Sequence, residues 1–155
     1  MILLKTVREL TKRIFSELKD KHQLTCDLRE EKLDENFMMS YDYEGNYIAY
    51  DPENMKRNYE EGRKNGFYSF DFPTYVLFLL THEFGHYLDY QNNKDAFNVN
   101  SPEEYIQMEL NGIQYAKSLI PPQYARQFHD FNMLVINSYK GKFAEDQSQK
   151  DRPFA

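Results

Sequence analysis

Apolar residues recur every three or four positions at the start of the chain, and charged residues fill the intervals. The apolar positions are Leu3, Val7, Leu10, Ile14 and Leu18. This spacing predicts an amphipathic helix over residues 3–18 with one face packed on a core. The following segment, residues 23–30, predicts a short strand.

Residues 37–50 contain two runs rich in strand-favouring residues, separated by Glu44, Gly45 and Asn46. Glycine and asparagine tolerate the positive φ that a tight turn requires, so the segment predicts a β-hairpin. Residues 51–71 are polar and are interrupted by proline and glycine. They predict mostly a connector, with room for a short helix over 52–63.

The most apolar helical pattern covers residues 73–90, with Asp71 as its candidate N-cap. Its residues 76–80 are apolar nearly all round, which predicts a helix that passes through the core. Ser101 and the proline after it predict the start of a further helix over 101–119, before two consecutive prolines.

The C-terminal part of the chain predicts one more helix, over residues 123–139. Its expected buried stripe consists of Tyr124, Phe128, Phe131, Val135 and Tyr139. Residues 141–155 are polar and predict a disordered tail. With 155 residues the chain suits one domain, which we assign to residues 1–140, and the mixture of helices and hairpin predicts the α+β class.

Composition narrows the classes of function. The chain has 19 basic and 25 acidic residues, a net charge of −6, which argues against nucleic acid as a direct partner. The longest apolar run, residues 75–80, is far shorter than the roughly 20 residues that span a bilayer, so no membrane insertion is expected. A single cysteine, Cys26, excludes an internal disulfide, and the N-terminus shows no export signal. Both features favour the cytoplasm.

The core helix carries the sequence His82-Glu83-Phe84-Gly85-His86, a complete H-E-x-x-H motif. Residues four apart lie about 40° apart around a helix and about 6 Å apart along it, so both imidazoles can reach one ion. Glu83 lies near the same rim, where its carboxylate can act as general base toward water that the metal activates. Burying these groups on an apolar helix is costly without a partner such as an ion.

A catalytic zinc takes three protein ligands and leaves a fourth position for water. No histidine follows His86 within ten residues, so the third ligand is predicted to be a carboxylate on the downstream helix. The candidates are Glu103, Glu104 and Glu109. Glu109 lies in the predicted buried stripe, and Gly112 one turn later leaves room for a close approach to the core helix. We predict Glu109 as the third ligand and keep Glu104 as the alternative.

These residues resemble the zincin metallopeptidases of the gluzincin type, in which two histidines and a downstream glutamate bind zinc. Residues 115–116 and 119–122, Tyr-Ala and Leu-Ile-Pro-Pro, are similar to the corresponding segment in the family of ImmA and IrrE. His82 to His86 followed by Asp89 is also similar to the lethal-factor-like group, which includes secreted Pro-Pro endopeptidases. We place that group second because the chain shows no export signal.

The resemblance implies a minimal zincin fold and a zinc-dependent endopeptidase that cuts a protein or peptide substrate, with Glu83 as general base. It implies that the hairpin strand 46–50 is an edge strand beside the cleft. Asp89 lies near His86 on the same side of the helix, where it either accepts a hydrogen bond from that histidine or is a surface charge. The alternative is a catalytically silent regulatory or protein-binding module. The residue that stabilises the oxyanion stays open among Tyr47, Tyr50, Tyr115, Tyr124 and His129.

Overall fold

The computed structural model describes residues 1–150, with side chains described for residues 1–146. Its helices are α1 (Leu4–His22), α2 (Pro52–Lys64), α3 (Phe72–Asn92), α4 (Pro102–Ala116) and α5 (Ala125–Lys150). Its strands are β1 (Asp27–Glu30), β2 (Met39–Asp42) and β3 (Tyr47–Tyr50). Short 3-10 helices, Lys94–Phe97 and Pro122–Tyr124, precede α4 and α5. The described chain is therefore α+β, as predicted.

The three strands form one mixed sheet in the order β1-β3-β2. β2 and β3 pair antiparallel as the predicted hairpin, and Asn46 in the turn has a φ of 55°. β1 pairs in parallel with the other side of β3. The expectation that residues 46–50 form an edge strand is therefore wrong, because β3 is central. β2 is the edge strand that packs beside α3.

α3 passes through the centre of the molecule, as its apolar sequence predicts. Asp71 caps it, accepting a hydrogen bond from the Thr74 N–H at 3.0 Å. Phe78 and Leu80 are completely buried, and the helix packs against α1, α4 and β2. The H-E-x-x-H motif, which lies in the second half of this helix, is therefore held by packing on several sides.

Residues 52–64 form a full helix, α2, where the sequence predicted mostly a connector. Asp51 caps this helix by accepting hydrogen bonds from the backbone N–H groups of Glu53 and Asn54. Its apolar side chains Met55 and Tyr59 are buried, while most of the remaining surface is polar. A narrow apolar face with few members explains why the helical period was weak in the sequence.

α5 continues to Lys150, whereas the sequence predicted an end at Tyr139 and a disordered tail over 141–155. Gly141 faces open space, where glycine costs a helix only about 1 kcal/mol and does not stop it. Phe143 is half-buried and packs against the Tyr105 ring, with 5.9 Å between centroids. This contact gives the extension a reason to remain helical. Residues 151–155 of the predicted tail lie outside the described residues.

The buried face of α5 differs in part from the predicted stripe. Phe128 and Phe131 are buried as expected, but the remaining buried side chains are Asn132 and Ile136. The predicted members Tyr124, Val135 and Tyr139 are half-buried. None of the helices within the described residues is both long and apolar enough to cross a membrane.

Candidate metal centre

Three predicted ligands meet in the interior of the fold. The Nε2 atom of His82 lies 3.0 Å from Oε2 of Glu109, and Nε2 of His86 lies 3.2 Å from Oε1 of the same carboxylate. The two histidine Nε2 atoms are 3.1 Å apart. All three side chains are buried, and one ligand atom from each lies within 4.8 Å of the others. This buried His-His-Glu group could hold a metal ion.

Two glycines let α3 and α4 approach closely enough to form this group. A Cβ atom on Gly85 would collide with the carbonyl oxygen of Gly112 on the facing helix. A Cβ atom on Gly112 would lie 2.6 Å from Nδ1 of His86, inside the space that the imidazole occupies. The sequence-based expectation of close approach at Gly112 is confirmed. An alanine at Gly112 would therefore displace His86.

Glu104, the alternative ligand, lies away from the group, at the exposed first turn of α4. Its carboxylate accepts a hydrogen bond from the Asn100 N–H at 3.1 Å, and its own N–H donates to Ser101 Oγ. This reciprocal pattern caps the start of the helix. Glu103 is also exposed in that turn, so Glu109 is the carboxylate of α4 that reaches both histidines.

Asn132 on α5 contacts the group from a third helix, and no pattern in the sequence marks it as a site residue. Its side chain is completely buried, and its Nδ2 donates a hydrogen bond to the Phe128 carbonyl oxygen at 2.8 Å. That bond leaves Oδ1 facing Nδ1 of His82, at 2.8 Å. Because an amide oxygen only accepts, His82 carries a proton on Nδ1, and its Nε2 faces Glu109 and His86.

We expect Asn132→Leu to lower zinc affinity by about 10- to 100-fold, the usual effect of losing the partner that orients a metal-binding histidine. Leucine fills a similar volume but cannot accept the Nδ1 proton. Asn137→Leu is the matched control, because Asn137 is exposed on the same helix. Competition against a chromophoric chelator measures both affinities. Equal affinities in the two variants would contradict this role for Asn132.

Charge interactions within the His-His-Glu group show that its carboxylate needs a positive charge beside it. Burial lowers the pKa of His82, but the nearby Glu109 carboxylate outweighs this effect and raises that pKa to about 9. Burial raises the pKa of Glu109, yet the two imidazoles hold it well below its usual range. If His82 were neutral, the lone pair on its Nε2 atom would face the Glu109 carboxylate. The buried group therefore requires a proton or a metal ion between these atoms. Two imidazole nitrogens and one carboxylate oxygen form a donor set that suits zinc.

The pKa of His82 leads to a testable pH dependence. A group whose folded-state pKa rises from 6.5 to about 9 stabilises the metal-free protein fully below pH 6.5. That stabilisation, about 3 kcal/mol, is lost as the pH rises through about 9. Bound zinc keeps the imidazole deprotonated, so the zinc-loaded protein should not show this loss. Urea unfolding near pH 6 and near pH 10, with a chelator or with zinc, measures it. A parallel decline in both forms would refute the expectation.

Glu83 lies beside the His-His-Glu group but is not one of its three members. It is 8% exposed, and burial raises its pKa above the ordinary value, although His82 and His86 act in the opposite direction. The backbone N–H of Tyr41, on the edge strand β2, also favours its ionised form. A carboxylate with a raised pKa beside a metal group suits a proton acceptor that must later release the proton.

Asp89, predicted to accept a hydrogen bond from a ligand histidine, is buried one turn after His86. Burial raises its pKa, and the charge of His86 opposes that effect. The predicted hydrogen bond is absent. Within the described part of the chain, His86 Nδ1 and Asp89 Oδ2 are both buried without a hydrogen-bond partner.

A cleft of about 350 Å³ opens beside the group and is bordered by β2, α4 and α5. Four tyrosines line it, of which Tyr105 lies on α4 and Tyr139 lies on α5. Burial raises the pKa of both, that of Tyr105 to about 12, and the charge of Glu109 adds to the effect. The five residues weighed from the sequence for oxyanion stabilisation are not among those described as lining this cleft. Tyr105 and Tyr139 were missed because only the packing of α4 against α5 brings their side chains there.

Comparison with known proteins adds no relative. No protein-family model, no curated protein and no solved structure matches the chain. The function must therefore be inferred from the residues of the cleft.

Proposed function

We propose that the protein is a zinc-dependent endopeptidase of the zincin type that acts in the cytoplasm. The observation that carries the proposal is the convergence of His82, His86 and Glu109 around one point, with Glu83 buried at the same cleft. The buried, unpaired state of Cys26 agrees with a reducing compartment. A site that only stabilised the fold would have no use for Glu83, which weighs against a catalytically silent module.

The donor set favours zinc over the common hard cations. Calcium and magnesium prefer oxygen ligands, whereas two of the three donors here are imidazole nitrogens. Three protein ligands leave a position open for water or substrate, as hydrolytic zinc sites require. When bound, zinc would supply Lewis acidity that polarises a peptide carbonyl and lowers the pKa of water.

The proposed reaction gives each residue of the cleft a defined task. His82, His86 and Glu109 would hold the metal, and Asn132 orients His82 through the Nδ1 proton. Glu83 accepts a proton from the water that attacks the carbonyl carbon, and it then donates that proton to the departing amine.

Two tyrosines complete the proposed chemistry. The pKa values of Tyr105 and Tyr139 are raised, so their hydroxyl groups stay protonated at neutral pH. A neutral hydroxyl in the cleft can donate a hydrogen bond to the carbonyl oxygen as negative charge develops on it.

The edge strand β2 offers a way to align a peptide in the cleft. Met38 accepts a hydrogen bond from the Asp51 N–H, so in the antiparallel ladder the pairs 38/51, 40/49 and 42/47 exchange hydrogen bonds. The N–H and C=O groups of Met39 and the C=O group of Tyr41 therefore point to the free edge, while the Tyr41 N–H donates to Glu83. An extended peptide can pair with them as a fourth strand, which would carry its backbone past Glu83 and the metal ligands.

The test is cleavage by the zinc-loaded protein. Metal content is first measured by elemental analysis on untagged protein, where we expect about one zinc per chain. The same sample is then incubated with a mixture of unstructured peptides, and new amino termini are identified by mass spectrometry. Cleavage that stops on chelation and returns with stoichiometric zinc would support the proposal. A zinc-loaded protein that cuts none of the peptides would refute it.

A further inference from the structure

The walls of the cleft carry almost no charge outside the metal group and Glu83. Ten further residues line it, and nine of them are apolar or aromatic. Within the described residues, no lysine, arginine or aspartate lines this surface. Most of these large side chains are only half-buried, although side chains of this kind favour full burial.

One end of the cleft is an aromatic wall built from three separate segments. Tyr43 of the hairpin turn, Tyr90 of α3 and Phe97 of the following 3-10 helix contact one another, with ring centroids 5.1 to 5.5 Å apart. The Phe97 ring stands 6.3 Å from the ring of His86. Mutual packing therefore fixes an apolar surface directly beside a metal ligand.

The other end of the cleft is apolar too, but it is open. Tyr105 and Tyr139 pack edge to face with centroids 5.2 Å apart. Phe37 and Tyr139 also border a second cavity of about 430 Å³, whose lining includes the charged residues Arg57, Glu61 and Lys142, so the uncharged surface ends at these two side chains. β2 lies between Phe37 and Tyr43, and strand residues are spaced by about 3.3 Å. A peptide of several residues paired with β2 would therefore reach both ends.

We infer, on the basis of the proposed function, that the substrates are already extended or unfolded protein segments with bulky apolar side chains beside the cleaved bond. The two carboxylates Glu83 and Glu109 balance the charge of a divalent ion, so the lining has no net charge left to pair with a charged substrate side chain. Such a side chain would lose water without gaining a partner. A leucine or phenylalanine would instead cover the half-buried aromatic surface.

The requirement for an unfolded segment follows from the same geometry. Pairing with β2 needs a backbone that is extended and free of other hydrogen bonds. Bulky apolar side chains are mostly buried in folded proteins, where they cannot enter the cleft. The two conditions are met together in unfolded chains and flexible segments.

The first experiment compares matched fluorogenic peptides that carry leucine, glycine, aspartate or lysine on either side of one cleavable bond. We expect kcat/KM for leucine to exceed that for aspartate or lysine by roughly tenfold or more on at least one side. Phe97→Ala should reduce the leucine-to-glycine ratio by about tenfold on one side of the bond. Phe67→Ala is the control, because Phe67 is 62% exposed and does not line the cleft.

The second experiment offers one protein in two states, native and reduced with its cysteines carboxymethylated, to the same zinc-loaded enzyme. We expect the unfolded form to be cut at apolar positions and the native form to stay intact. Three results would overturn the inference: cleavage at charged positions, equal cleavage of both states, or a wild-type profile without apolar preference. Each of them would still be consistent with the proposed endopeptidase activity.

Failure of the proposed function has a different signature. If zinc-loaded wild type cuts none of these substrates, binding of the same peptides to zinc-loaded Glu83→Gln is measured by fluorescence anisotropy. Roughly tenfold tighter binding of the leucine peptides would support the apolar surface in a protein without turnover. Equal binding of all peptides would overturn both proposals.

Discussion

Replacing Glu83 by glutamine is expected to lower peptide cleavage by about a hundred- to ten-thousandfold while the zinc content stays near one per chain. Glutamine preserves the shape of the side chain but cannot accept a proton from water. Glu83 does not belong to the His-His-Glu group, so metal binding should survive the change. Because the proton transfer occurs in the transition state, kcat and kcat/KM should fall by similar factors. Steady-state kinetics and elemental analysis on the same preparation measure the two effects.

Glu104→Gln is the matched control for this variant, because Glu104 is an exposed glutamate at the start of α4. It should leave kcat unchanged within a factor of about two. A Glu83→Gln protein that keeps most of its activity would show that another group accepts the proton. A protein that loses zinc together with activity would show that Glu83 supports the metal site instead.

Removal of the third ligand should have the largest effect on the metal. Glu109→Ala is expected to weaken zinc binding by more than about a hundredfold, beyond the effect of losing an orienting partner. The carboxylate contacts both histidines, and alanine leaves their Nε2 atoms without a counter-charge. Glu104→Ala lies on the same helix, five residues earlier, and should retain wild-type affinity. Zinc competition assays and stoichiometry on purified protein distinguish the two.

The same pair of variants separates ligand loss from unfolding. Far-UV circular dichroism should report folded protein for both, since alanine favours the helix in which each residue lies. Zinc lost in Glu104→Ala but kept in Glu109→Ala would overturn the assignment and require a different arrangement of α4 beside α3.

The part of the site that the sequence predicts is the part that depends on helical periodicity. The i, i+4 spacing of His82 and His86 is a local property, so any helix there brings the two rings together. Glu109 and Gly112 follow from the period of α4, because the face that packs on α3 must carry its buried residues and its small residue. These positions needed no knowledge of the rest of the fold.

Most of the missed features depend on contacts between segments that are distant in the chain, whereas α2 was missed because its own apolar face is narrow. Asn132 comes to His82 from 50 residues away, and nothing in the sequence around it distinguishes it from an exposed asparagine. The central place of β3 depends on β1, whose four residues show no burial alternation because three of them are exposed. The extension of α5 past Gly141 depends on Phe143 meeting Tyr105.

α5 has a further consequence, because it supplies Asn132 to His82 and Tyr139 to the cleft without contributing a metal ligand. Metal binding and the docking of α5 are therefore linked equilibria. If the docking of α5 raises the affinity for the ion by some factor, the ion must raise the docking equilibrium constant of α5 by the same factor. Zinc availability would then set how firmly α5 is docked beside the candidate metal centre.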